Sequence, residues 1–267
     1  MATYNHTGLV PSETDMDRCR SYLVYQLNGG KELPARHHKT LPGPAITMSY
    51  QTGAGEHEVA GWLAGLLQAG EYVGTTPWTV FYRNLVERVL KEHNLPANLA
   101  KFVPEDRRCF IREAMDELVG LHPPSWVMVP EIAKTVLHLV DAGHVILVGR
   151  GASLITTHIP NVFHVRLIAS LPTRIERVQK LANLTPEEAA KFVAMSDRQR
   201  GRYARAHFHA SAENDLLYHM VVNTDRIPYP SAAQMIADAA RVFFSTQAES
   251  STATSPGLAR KIQKAQS

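Results

Sequence analysis

Between residues 45 and 245, short apolar runs alternate with amphipathic stretches. Ala45-Ile46-Thr47-Met48-Ser49 reads as a buried strand. Val59, Leu63, Leu66 and Leu67 then recur at helical spacing and predict a helix. Glu71-Tyr72-Val73 is a short strand candidate. Helical stripes follow at Phe81, Leu85 and Val89 and around Met115, Leu118 and Val119. Ile132, Val136, Leu139 and Val140 predict a helix that stops at Gly143. His144-Val145-Ile146-Leu147-Val148 is the continuous apolar strand of a sheet covered on both faces. Phe163–Ile168 is a further strand, and Ile175, Val178 and Ala182 mark a helix. Thr185-Pro186-Glu187-Glu188 predicts a helix start with a capping box and a proline in the first turn. His219–Asn223 is a last strand. Ser231 and Gln234 suggest a second capping box, opening a helix through Ile236, Ala240 and Phe243. Strands alternating with helices at this spacing imply right-handed crossovers and a parallel α/β sheet. Ligands in such sheets bind beyond the carboxyl ends of the strands, so the segments after each strand carry the chemistry.

The ends are organised differently. Residues 1–44 read as a helical arm and linker: Ser12 and Thr14 are N-cap candidates before Met16, Cys19, Leu23 and Leu27. Asn28-Gly29-Gly30 stops that pattern, and Pro34, Pro42, Gly43 and Pro44 break the chain before the first strand. From Ser245 onward the sequence turns small and polar, so residues 246–267 are expected to be a disordered tail. One domain, 45–245, remains.

Composition excludes more than it selects. Of 267 residues, 45% are hydrophobic and 20% charged, which rules out a wholly disordered chain. A net charge of +3 is too slight to make nucleic acid or membrane the expected partner; a small molecule is. The two cysteines, Cys19 and Cys109, lie far apart and read as free thiols of a reducing compartment. The N-terminus lacks a basic segment followed by an apolar run, and no apolar stretch could span a bilayer, so a cytoplasmic location is expected. Nothing in the pattern sets the oligomeric state.

Three segments carry candidate chemistry. Gln51-Thr52-Gly53-Ala54-Gly55-Glu56-His57-Glu58 runs from the first strand into a helix. Glycines there let backbone N–H groups converge on an anion, although a tight strand–helix turn needs the same glycines. A Walker A motif would place Gly, Gly, Lys and Ser/Thr where this chain has Gln51, Glu56, His57 and Glu58. Gly149-Arg150-Gly151 follows a strand, where a guanidinium can hold a phosphate bidentately or simply face solvent. Arg198, Arg202 and Arg205 fall on one helical face, which favours an anion between them. The alternative is a solvated helix with one ion pair, such as Asp197–Arg200. His207 and His209 lack an identifiable third ligand, and no protein metal site is assigned.

Taken in order, these segments resemble the cytidylate kinase-like family of P-loop nucleotide kinases from about Ala45 to Phe243. The resemblance rests on Ile46–Gly55, Pro104-Glu105-Asp106-Arg107, Leu121–Trp126, Val145–Gly151, Asp215–His219 and Asn223-Thr224-Asp225-Arg226. It implies a three-layer α/β/α fold with a five-stranded parallel sheet, an inserted helical region and a mobile lid. It implies ATP with Mg²⁺, Gly53 and Gly55 in the phosphate loop, and Gly149, Arg150 and Gly151 on the acceptor side. Arg198, Arg202 and Arg205 resemble lid arginines that stabilise the transferring phosphoryl group. Asn223, Thr224 and Asp225 lie near where the family holds the donor base.

The chain departs from the family at Glu56, His57 and Glu58, where a glycine, a basic residue and a Mg²⁺-binding hydroxyl are usual. It departs again at Gly151, where an aspartate often helps read cytosine. Three functions follow as expectations. The first is an ATP-dependent nucleoside-monophosphate kinase, with His57 taking over part of the lysine's work. The second is a non-catalytic nucleotide- or anion-binding regulator. The third is a kinase for another small molecule.

Overall fold

A computed structural model describes residues 43–69, 77–82, 129–149 and 151–253. Residues 1–42 of the arm, Glu71–Val73, the stripes beyond Tyr82, the Pro104–Arg107 and Leu121–Trp126 segments, Arg150 and the last residues of the tail lie outside them.

Five strands, β1 (Ala45–Tyr50), β2 (Thr79–Phe81), β3 (Val145–Val148), β4 (Val162–Ile168) and β5 (Met220–Asn223), pair in the order β2-β3-β1-β4-β5. Every pairing is parallel. The chain leaves β1 toward one edge and β4 toward the other, so the topological switch point lies between these neighbours. The loop after β1 opens into that crevice.

Residue alternation builds the layers. Ile46, Met48, Ile146, Val148, Val165, Leu167 and Val222 share one face. There they meet Val59, Leu63 and Leu67 of α1 (Glu56–Ala69) and Ile236 and Ala240 of α6 (Tyr229–Ala253). On the opposite face Ala45, Val145, Leu147 and Val162 meet Val136, Leu139 and Val140 of α2 (Val129–Ala142) and Ala152 of the short α3 (Ala152–Ile155). Two further helices, α4 (Leu171–Ala182) and α5 (Pro186–Phe208), pack through Val178, Ala189, Phe192 and Val193. The result is the three-layer α/β fold expected from the pattern. The capping box at Thr185 and Glu188 is present in full.

Four details differ from expectation. Phe81 ends β2 instead of opening a helix, because Thr79-Val80-Phe81 is buried and pairs with Val145–Leu147. His144 precedes β3 at φ 57, where with Gly143 it turns the chain out of α2. The last helix starts at Tyr229, so Ser231 is no cap, and the Gln234 side chain donates to Asp238 instead. That helix also runs to Ala253, eight residues past the expected boundary of the tail. The Ser245 and Thr246 hydroxyls donate back to the Val242 carbonyl, so small polar residues prolong a helix already anchored by Ile236 and Ala240.

Candidate functional site

The loop from Gln51 to Gly55 is held from behind. Arg174 donates to the Thr52 carbonyl (3.3 Å), Arg177 to the Gly53 carbonyl (3.3 Å) and the Thr224 hydroxyl to the Ala54 carbonyl (2.8 Å). Three successive carbonyls are therefore tied outward to the start of α4 and the end of β5. Gly53 and Gly55 take φ of +81° and +88°, which L side chains rarely adopt. The loop leads into the N-terminus of the 14-residue α1, with its Thr52 N–H given to Asp197 and its Ala54 N–H to the Gln51 carbonyl. Gln51 spans the switch point: its N–H donates to Leu167 of β4 and its side-chain oxygen accepts from Ala169.

Gly55 is doubly constrained, because a Cβ there would lie 2.3 Å from the Tyr229 ring. Gly55→Ala is expected to cost well over 1 kcal/mol through its positive φ alone. A thermal melt should show it as a lowered Tm, accompanied by weakened nucleotide binding.

Asp197, on α5, organises the front of the loop. Its carboxylate accepts from the Thr52 N–H (3.0 Å), the Thr52 hydroxyl (2.8 Å) and Arg174 (2.6 Å). Arg200 bonds both Asp197 and the Thr52 hydroxyl, and its guanidinium lies over the Tyr50 ring at 4.6 Å. Burial pushes the Asp197 carboxyl up, but Arg200, Thr52 and Arg174 outweigh it and hold it below the usual range. The Asp197–Arg200 pair read from sequence as a solvated alternative is real, and it sits against Thr52 of the β1–α1 loop.

The three unusual residues of the loop behave differently. Burial raises the Glu56 carboxyl to about 7, against backbone hydrogen bonds from Glu56 and Gly55 and the Arg200 charge, which favour the carboxylate. A side chain held by the N–H groups of Gly55 and Glu56 occupies part of the ground a phosphate oxygen would use. Burial pushes the His57 ring below its ordinary range despite Glu58, so it is neutral at pH 7. It stacks on Tyr82 at 4.4 Å. Glu58 is raised by burial and by Glu56, with Arg177 pulling the other way.

The other expected site residues are distributed around this centre. Gly149 takes φ 79° beside Tyr50, and Gly151 takes φ 67° before α3 and against Phe208 and Tyr203. Arg150 between them lies outside the described residues. Arg198, Arg202 and Arg205 are exposed, and the structure does not bring them to the loop. Thr224 braces the loop and accepts from Arg177. Asn223 and Asp225 shape the neighbouring turn, with the Asn223 side chain accepting from Asp225 N–H and Asp225 from Ser170 N–H. Among the described residues, no three His, Cys, Asp or Glu side chains gather as a metal site. No helix of the described residues is long and apolar enough to cross a membrane.

Arg174, Arg177 and Asp197 escaped the sequence reading as site residues. One signal was available: Arg174 and Arg177 stand three apart on the helix that follows β4 at the switch point.

The chain matches the cytidylate kinase-like family over residues 45–226. A uronate isomerase from Corynebacterium glutamicum is 29% identical over 111 residues, covering 42% of this chain and 21% of that protein. The match thus spans about a fifth of that protein's length. The crystal structure of an uncharacterized protein from Eubacterium ventriosum superposes with a TM-score of 0.50 at 18% identity, covering 74% of this chain and 98% of that one. At that identity the likeness shows the fold alone.

Proposed function

This chain belongs to the cytidylate kinase-like family, and on that premise we propose that it binds ATP at the β1–α1 loop and transfers the γ-phosphoryl group to a small acceptor, with a nucleoside monophosphate as the first candidate. The observation that carries this reading is the outward tethering of three successive loop carbonyls by Arg174, Arg177 and Thr224. That bracing fixes the loop backbone before a ligand arrives, and phosphoryl transfer depends on positioning and charge stabilisation. Arg200 is the cation of α5 that reaches the loop, and in this reading it faces the β- and γ-phosphates. Arg198, Arg202 and Arg205 stay on the exposed face of the same helix as lid candidates. Glu58 offers a hard oxygen donor at the position next to the loop, a type that suits Mg²⁺. Mg²⁺ would supply charge neutralisation on the phosphates.

One observation favours a second reading, a nucleotide- or anion-binding protein without turnover. Glu56 places a carboxylate in the cradle while the neutral His57 supplies no positive charge. One experiment separates the two. The protein is incubated with ATP, Mg²⁺ and a panel of nucleoside monophosphates, and the products are resolved by phosphorus NMR. A nucleoside diphosphate made from the acceptor supports the kinase. ATP binding by calorimetry with no product for any acceptor supports the binder, and absence of ATP binding removes the kinase and the nucleotide binder.

A further inference from the structure

On the sheet face opposite α1 and α6, the strands turn polar toward their carboxyl ends. Ser49 of β1 pairs in register with Arg166 of β4. Arg166 is 6% exposed, yet among the described residues no ion pair includes it. Its Nε is buried without a hydrogen-bond partner, and its Nη1 reaches the Tyr218 hydroxyl only at 3.5 Å. The guanidinium also lies 5.5 Å from the Tyr218 ring centroid. That tyrosine is fixed in turn: its hydroxyl contacts the Ala212 carbonyl at 2.8 Å and the Ser49 hydroxyl at 3.1 Å.

A guanidinium carries five N–H donors and a charge that cannot be shed. Burying it with one marginal hydrogen bond is costly, and such groups ordinarily meet a carboxylate or a bound anion. Ser49 stands two residues before Gln51, where the β1–α1 loop begins, so Arg166 lies on the strand neighbour of the segment that enters that loop. Its position on β4 also keeps it separate from the cations that brace the loop, since Arg174, Arg177 and Arg200 are committed to Asp197, Thr52, Gly53 and Thr224.

We propose that Arg166, with Tyr218 and Ser49, is the anchor for an anionic group of the acceptor, either a phosphate monoester or a carboxylate. The inference rests on the phosphotransfer reading for the word acceptor, and on the unpaired buried guanidinium for the anion. Arg166 offers its unused N–H groups to the anion's oxygens, while the Tyr218 hydroxyl, which donates to the Ala212 carbonyl, accepts from Ser49 and lies against the guanidinium. Tyr218 restrains the guanidinium from one side.

The test is binding to the full chain, by calorimetry, with CMP, cytidine and citrate as probes and ATP as the reference for the loop. Loss of a charge-assisted bidentate contact weakens binding about tenfold to a hundredfold. CMP or citrate should lose that much affinity in Arg166→Met, while the ATP affinity stays within about twofold. Whichever probe responds identifies the phosphate monoester or the carboxylate, and cytidine should be indifferent to the change. The Tm of Arg166→Met should hold or rise, because an uncompensated charge has left the interior. Arg166→Lys keeps a charge without the planar fork and should also lose about tenfold for the responding anion. Unchanged binding of CMP and citrate in both variants overturns the proposal, as does failure of both probes to bind the native protein. A fall in Tm with parallel loss of ATP and anion binding makes Arg166 structural, and also overturns it. If ATP does not bind but CMP or citrate binds through Arg166, the anchor stands and the phosphotransfer reading falls.

Discussion

Asp197→Ala is expected to lower the melting temperature by roughly 6–12 °C. Its carboxylate is the shared partner of Arg174, Arg200 and both donors of Thr52. Arg174 is 7% exposed, so losing this anion strands a buried cation. Breaking a buried pair from one side costs ~3–5 kcal/mol. The lower end applies here, because the Asp197 side chain is 31% exposed and water screens part of the charge. For a domain of this size ~2–4 °C accompanies each kcal/mol. The same substitution frees the Thr52 N–H and removes the carboxylate link between α5 and the β1–α1 loop, leaving Arg200 on the Thr52 hydroxyl. ATP affinity should therefore fall together with stability, by at least about tenfold for a lost charge-assisted network. A melting curve and a calorimetric titration on one preparation check both effects. An unchanged Tm would mean that Asp197 is a surface residue and that the loop is organised by something else.

Glu56→Gln should alter the pH dependence of both stability and ATP binding. In the folded chain the Glu56 carboxyl is raised from 4.5 to about 7. Between those values the folded state holds a proton that the unfolded state has lost. Stability from this group is fully present below about pH 4.5 and is lost as pH rises to about 7. Each unit corresponds to ~1.4 kcal/mol, so the loss is on the order of 3 kcal/mol at most. His57 works in the opposite sense over part of this window. Its depressed pKa makes the folded state bind fewer protons below 6.5, so its contribution grows as pH rises toward that value. The difference between native protein and Glu56→Gln isolates the glutamate: the variant should be the more stable at pH 8 and lose the decline.

Binding follows the same titration. An ionised Glu56 repels the phosphates and competes for the N–H groups of the loop. ATP affinity should weaken by about tenfold from pH 6 to pH 8 if only the protonated form admits the ligand. His57, expected to take over part of the lysine's work, could produce the same increase toward acid pH only as an imidazolium. The buried ring makes the opposite assignment. His57→Ala should leave the pH profile in place, and Glu56→Gln should flatten it to the slope of ATP's own ionisation. The reverse pattern would return the lysine's role to His57.

Much of the fold was legible because it depends on local periodicity. The runs Ala45–Ser49 and Val145–Val148, the stripes of α1 and α2, and the Thr185 capping box each specify their element over a few residues. The order of those elements implied a parallel sheet. Phe81 was misread because three buried strand residues carry no period that distinguishes them from a helical stripe. The end of α6 was misread because small polar residues follow whichever state their neighbours are in, and only Ile236 and Ala240 in the core reveal that this is helix.

The position of the β1–α1 loop was likewise written in its glycines and in the strand before them. The charges around it were decided by tertiary structure. Asp197 lies 145 positions from Thr52, Arg174 and Arg177 come from a third element, and no local pattern marks such partners. On α5 the sequence offered three arginines in a stripe, and it is Arg200 beside them that reaches the loop. Only the packing of α5 against α4 and the loop chooses which side of that helix faces the crevice. The same holds for the pKa values of Glu56 and His57, since both follow from burial, and burial is a property of the assembled layers.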